Sequence, residues 1–239
     1  RRGGASPSDP RGMTTPWARQ TPTPLARVLA DSRPAVRDRA QSHLIAMGDE
    51  AFQPLAHLRL PDITADAAVR RRAVFTISQI KHPGVGSELR ASLQDPAAEV
   101  RRAAARSLGE LRLGEAIPEL SKALKDEDLL LRRLAATALG RIGNRKAIEP
   151  LFLSLQADSQ PAFQHAVRLA LIEIGDAKGC LPWLQGPTPH HQATALRVME
   201  QIDPNSLGIE DVVPFLRSVL PLLRDEARRI VAGRTEWRE

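Results

Sequence analysis

The chain has 239 residues, a formal net charge of +6 and only 3% aromatic residues, with one Cys and no Tyr. A lone Cys180 excludes an intrachain disulfide framework and is compatible with the cytoplasm and equally with an unbridged exported protein. No apolar run approaches the roughly 20 residues of a bilayer-spanning helix, so no membrane insertion is expected.

Residues 1–24 are rich in Arg, Gly, Ser, Pro and Thr, with only Met13 and Trp17 as larger apolar groups. Such a segment buries too little to offset its chain entropy, so it reads as a disordered tail or linker ahead of a folded domain spanning 25–239. Helix formation is expected after Thr23-Pro24, a cap followed by a first-turn proline. The chain begins with Arg1-Arg2 and lacks the apolar run of an export signal. Met13 as the natural start and a segment cut from a longer chain both remain open.

From there the chain is periodic. Apolar or bulky anchors fall at Val36, Val69, Val100, Leu131, Phe163, His191 and Leu223, spaced 33, 31, 31, 32, 28 and 32 residues apart. Two copies show the unit clearly. Leu89 and Leu93 give a short first helix closed by Asp95, and Val100, Ala104, Leu108 and Leu111 line one face of a second. Leu120, Leu124 and Asp126 repeat the first helix and its close, and Leu131, Ala135, Leu139 and Ile142 repeat the second face. The 4, 4, 3 spacing is that of one buried helix face, and each unit is read as an antiparallel helix pair. Four residues after the anchor stand Ala40, Ala73, Ala104, Ala135, Val167, Ala195 and Ala227, small enough for neighbouring helices to approach closely. Gly48, Gly143, Gly175 and Gly233 are placed to end second helices in a left-handed residue, and Pro54, Pro118, Pro150, Pro182 and Pro214 to begin the next first helix. A unit of this size cannot bury its own apolar face and must stack on its neighbours.

The motif Asp-x4-Val-Arg-x2-Ala-x3-Leu-Gly-x-Ile-Gly, then Ala-Ile-x-Pro-Leu, is written here from Asp126 to Leu151 with Leu131 in place of Val. It resembles HEAT repeats, in particular the short bacterial type first associated with phycobilin lyases, over roughly residues 25–233. The carboxyl-terminal part is also similar to HEAT segments of larger bacterial multidomain proteins, although no Cys-x-x-Cys-His is present for haem attachment. The resemblance implies an all-α, right-handed α-solenoid of about seven antiparallel helix pairs, monomeric or part of a larger chain. It also implies a structural ladder between adjacent units, which carries over to Asp31 with Arg37, Asp95 with Arg101, and Asp126 with Arg132. The fifth unit keeps Asp158 but has Gln164, the sixth has His191-Gln192, and the insertion at 59–66 leaves the partner of Arg70 open.

Residues two and six after each anchor lie one turn apart on the same side of the second helix. The first row reads Asp38, Arg71, Arg102, Arg133, His165, Ala193 and Asp225, and the second Ser42, Phe75, Arg106, Thr137, Leu169, Arg197 and Arg229. Because second helices line the concave face of HEAT-like arrays, Arg71, Arg102, Arg106, Arg133 and Arg197 are the candidate partner-binding residues, set to meet an acidic protein surface. A bilin lyase subunit and a DNA-gripping repair protein are the alternatives suggested by the repeat type. Against the second stands the position of Trp17, Trp183 and Trp237 outside these rows. His190 and His191 are adjacent and point to different sides of a helix, so no metal site is expected, and no cofactor. No catalytic constellation is recognised, and the chain is read as an interaction module rather than an enzyme.

Overall fold

Proline and aspartate set the helix starts. Proline occupies the first or second position of six helices, where a missing amide donor is harmless. Asp66 and Asp128 accept hydrogen bonds from the amides of Ala68 and Leu131 at two others. Gly143 (φ 70°) and Gly175 (φ 72°) end their helices in the left-handed conformation. Gly233 differs from the expectation and lies inside the last helix, without a positive φ.

The structure is a computed structural model that describes residues 9, 11–13, 15–60, 62, 66–156, 160–234 and 237. Among these, the first helices of the pairs are α1 (Pro22–Val28), α3 (Asp49–Leu58), α5 (Val85–Ser92), α7 (Ile117–Ala123), α9 (Ile148–Leu153), α11 (Ala177–Cys180) and α13 (Ile209–Leu216). The second helices are α2 (Pro34–Met47), α4 (Ala67–Ser78), α6 (Ala98–Glu110), α8 (Leu129–Ile142), α10 (Pro161–Ile174), α12 (Pro189–Ile202) and α14 (Pro221–Gly233). The fold is all-α, and its class is the α-solenoid of paired helices. Pro54 and Pro214 sit within α3 and α13 rather than at their starts, because those helices begin five residues earlier.

The chain divides into two compact units, Arg1–Leu111 and Arg112–Glu239. In the first, α4 packs against α6 and α3, and α1 against α2 and α3. In the second, α10 packs along α8 and against α12, and α12 against α14. Every anchor from Val36 to Leu223 is buried, and all seven residues four positions later have 0% exposure. Small side chains there let the second helices approach, and Gly140 shows how close α8 and α10 come: a Cβ at Gly140 would stand 2.7 Å from Ala170 Cα.

In the segment that composition assigns to a tail, residues 1–8, 10 and 14 lie outside the described residues. Farther along it, Trp17 is buried, donates from Nε1 to the Gly12 carbonyl at 2.8 Å, and stacks on His43 of α2 with ring centroids 5.6 Å apart. The Arg33 guanidinium reaches back to the Asp9 carbonyl at 2.7 Å. The first helix then starts at Pro22, two residues before the proline expected to open it.

Enlarging the fully buried Ala135 to Leu should overpack the α8–α10 contact and lower stability by about 1–3 kcal/mol. Urea denaturation checks this through the transition midpoint.

Candidate interaction surface

In four of the pairs the residue after the anchor points back to carbonyls at or just beyond the end of the first helix. Arg37 Nη1 donates to the carbonyls of Asp31 (2.7 Å) and Ser32 (3.0 Å). Arg101 Nη1 donates likewise to Asp95 (3.1 Å) and Pro96 (3.0 Å). Arg132 Nε donates to the Leu124 carbonyl at 3.1 Å, and its guanidinium lies 4.4 Å from the Phe163 ring centroid. Gln192 makes the same contact with Gly186 at 3.1 Å. These residues therefore hold the turn between the two helices of a pair.

The aspartates do a different task. Asp31, Asp95 and Asp126 each accept the amide two residues on, at Arg33, Ala97 and Asp128, and so shape the turn into the second helix. The same-repeat pairs of the expected ladder thus meet through backbone carbonyls at Asp31–Arg37 and Asp95–Arg101. The Asp31 carboxylate is taken instead by Arg33, whose hydrogen bonds hold the Asp31 carboxyl below its usual range against a burial that would raise it. A carboxylate rung between successive repeats is formed by Arg70, whose Nε and Nη2 reach the two Asp95 oxygens at 2.8 Å each. The Arg70 and Asp95 side chains are only 4% and 3% exposed. Asp158 lies outside the described residues.

Of the two rows on the second helices, the first unit presents Asp38, Ser42, Arg71, Phe75 and Arg106 as exposed, with Arg102 partly covered. Phe75 is 42% exposed, an aromatic ring one turn from Arg71 on α4. Arg71 also lies 3.3 Å from Glu99 of α6, an exposed pair worth little to stability. In the second unit, Arg133 and His165 are exposed and Leu169 is 47% exposed. The row closes at α12, where Ala193 is buried. Arg197 is drawn onto Glu226 of α14, which also receives Arg229. Burial would push the Glu226 carboxyl up, but the two guanidiniums hold it below its ordinary value. Arg197 is thus committed to an internal clamp between α12 and α14.

His191 fills the sixth anchor as a packed ring, edge-on to Trp183 and Phe152 with centroids 5.3 and 6.5 Å away. Thr188 caps its helix and lies 3.0 Å from His191 Nδ1. Cys180 is buried, which pushes its thiol up to about 12. Among the described residues, no three His, Cys, Asp or Glu side chains stand together as a metal site.

The sequence profile of HEAT repeats matches residues 59–129 and 117–184, together more than half of the chain. The chain belongs to the HEAT-repeat family. Solved structures agree on the HEAT-like fold. The Escherichia coli protein YibA is 18% identical, with 95% of this chain and 88% of that one covered and a TM-score of 0.52. Cex1p is 15% identical, with 90% of this chain but 52% of that one covered and a TM-score of 0.54. The CpcE–CpcF complex of phycocyanin lyase from a Nostoc species is 26% identical over 72% of each chain, with a TM-score of 0.47. No curated protein matches the sequence. HEAT repeats generally act as protein-interaction scaffolds, presenting stacked helices as an extended binding surface.

Burial lowers the His191 pKa from its ordinary value of 6.5, so the unfolded chain binds the proton more readily. The stability contributed by neutral His191 is complete above pH 6.5. It should fall by at most about 1.4 kcal/mol per pH unit on acidification toward the folded-state pKa. Replacing His191 with Leu should flatten that part of the pH profile, as measured by denaturation between pH 7 and 5.

Proposed function

We propose that this HEAT-repeat chain is an interaction module that binds an acidic protein segment along the exposed side of its second helices and performs no chemistry of its own. Arg71, Arg102, Arg106 and Arg133 supply the guanidiniums in this reading, and Arg197 is left out because Glu226 occupies it. The observation that carries the reading is the exposed Phe75 beside Arg71 on α4, with Arg106 exposed on the adjacent α6. An aromatic anchor flanked by arginines is the composition in which binding energy concentrates at protein interfaces. Guanidinium forks favour carboxylates as the polar partner groups.

The aromatic residues also favour protein over nucleic acid. Trp17 stacks on His43, Trp183 on Phe152, and the Arg234 guanidinium lies 4.3 Å from the Trp237 ring centroid. The three tryptophan rings are occupied and leave Phe75 as the exposed aromatic of the two rows, whereas a nucleic-acid surface offers successive rings free to stack on bases.

The test is affinity capture from the source cell with the full chain as bait, beside a variant carrying Arg106→Glu and Arg133→Glu. Partners retained by the wild type should be lost from the reversed variant, with its helical circular dichroism unchanged. Retention of the same partners by both baits would refute the reading.

A further inference from the structure

One position of the repeat breaks its own rule. Five residues after the anchor, four second helices carry Val74, Ala105, Ala136 and Leu196, each fully buried at 0% exposure. In the outer helices α2 and α14 the same position is Gln41 and Arg228, and in α10, which packs between α8 and α12, it is Arg168, partly buried. The residue after the anchor, Arg in α2, α4, α6 and α8, is meanwhile Gln164 in α10. A guanidinium has in effect moved one turn along the helix, from the turn-holding position to a column that is apolar in the flanking α8 (Ala136) and α12 (Leu196).

What surrounds Arg168 is a cavity, not a partner. An open space of about 80 Å³ is bounded by Gln164 and Arg168 of α10, His190, Thr194 and Arg197 of α12, and Leu222 of α14. All of these lie within the second unit. Arg168 has no hydrogen-bond or ion-pair partner among the described residues. Glu226 is the carboxylate whose field reaches it, but both Glu226 oxygens are taken, Oε2 by Arg197 and Oε1 by Arg229. Two guanidiniums therefore take up the one carboxylate, and the charge of Arg168 stands beside them unpaired and partly withdrawn from water. Burial and the neighbouring Arg197 both lower the Arg168 pKa, which marks a cation held against its environment. An anion entering the cavity would relieve both effects at once.

We propose that the cavity between α10, α12 and α14 binds a single carboxylate, with Arg168 as its bidentate donor. The inference rests on the reading of the partner as acidic, and it adds a second, specific contact to that surface. A water-sized group occupies roughly 10–15 Å³ on this measure, so the cavity has room for a carboxylate and one or two methylenes of its stem. Leu222 offers those methylenes an apolar wall, and His190 and Thr194 stand at the polar side. The carboxylate comes from a glutamate side chain or from the free end of a chain.

The experiment titrates the full chain, by calorimetry and thermal shift, with three probes. One is a short peptide blocked at both ends with a single Glu. The second has that Glu changed to Gln and a free carboxyl terminus, and the third is inorganic phosphate. At least one peptide should bind and raise the melting temperature, and the one that does identifies the source of the carboxylate. Arg168→Met should weaken that peptide about tenfold, the loss of one charge-assisted pair. Its own melting temperature without ligand should equal or exceed that of the wild type, because no internal ion pair is removed. The same peptide should bind unchanged to the variant reversed at Arg106 and Arg133, so failure of the surface reading and failure of this one are distinguishable. Equal peptide binding by Arg168→Met, a marked loss of melting temperature in that variant, or binding of phosphate alone would each overturn the proposal.

Discussion

The close approach of neighbouring second helices within each unit, at a point where a small side chain usually stands, is the constraint on which the fold depends. The seven residues four positions after the anchors are completely inaccessible, and six of them are Ala. A short helix pair has one apolar face and no means of covering it except the next pair. Small residues at the crossing let the larger anchors interlock on either side, and Gly140 takes this to its limit against Ala170. With that face consumed by stacking, the opposite side of each second helix is the side left to carry polar groups. Interaction surface and core are thus two faces of the same helices.

Arginine is used in distinct ways along these helices, and burial decides which. Directly after the anchor it holds the turn between the two helices of a pair, as Arg37, Arg101 and Arg132 do, or makes a buried rung with the next repeat, as Arg70 does with Asp95. At Arg106 and Arg133 it stands in solvent and is available to a partner. At Arg168 it is neither paired nor fully solvated. The departures cluster where the period itself shortens: the step from Phe163 to His191, α11 only four residues long, and Gln in place of Arg after both anchors.

Much of this was legible in the sequence, and the parts that were not share a cause. Spacing alone placed seven anchors and the small residues behind them, because a helical face repeats every three to four residues and burial follows it. The resemblance to HEAT repeats paired Asp95 with Arg101 but could not say that they meet through a carbonyl, since six residues of separation across a turn fix proximity and not which atoms touch. Arg197 reads as surface on its own helix, and only Glu226, 29 residues farther on, withdraws it. Arg168 carried a readable signal only by comparing columns rather than scanning along the chain: its counterparts are Val, Ala, Ala and Leu in four helices, and Gln41 and Arg228 in the outer two. Trp17 was read with a tail of low apolar content, yet one ring and one hydrogen bond suffice to fasten it to α2.

The central claim is that exposed arginines of the second helices meet carboxylates while those of the turns and rungs serve the fold. Arginine Nε–Hε nuclear magnetic resonance, recorded on the full chain as a glutamate-rich peptide is added, reports on each guanidinium separately. The account predicts shifts concentrated at Arg71, Arg102, Arg106 and Arg133, with Arg70 unmoved. Shifts spread evenly over all exposed arginines, or none at those four, would contradict it.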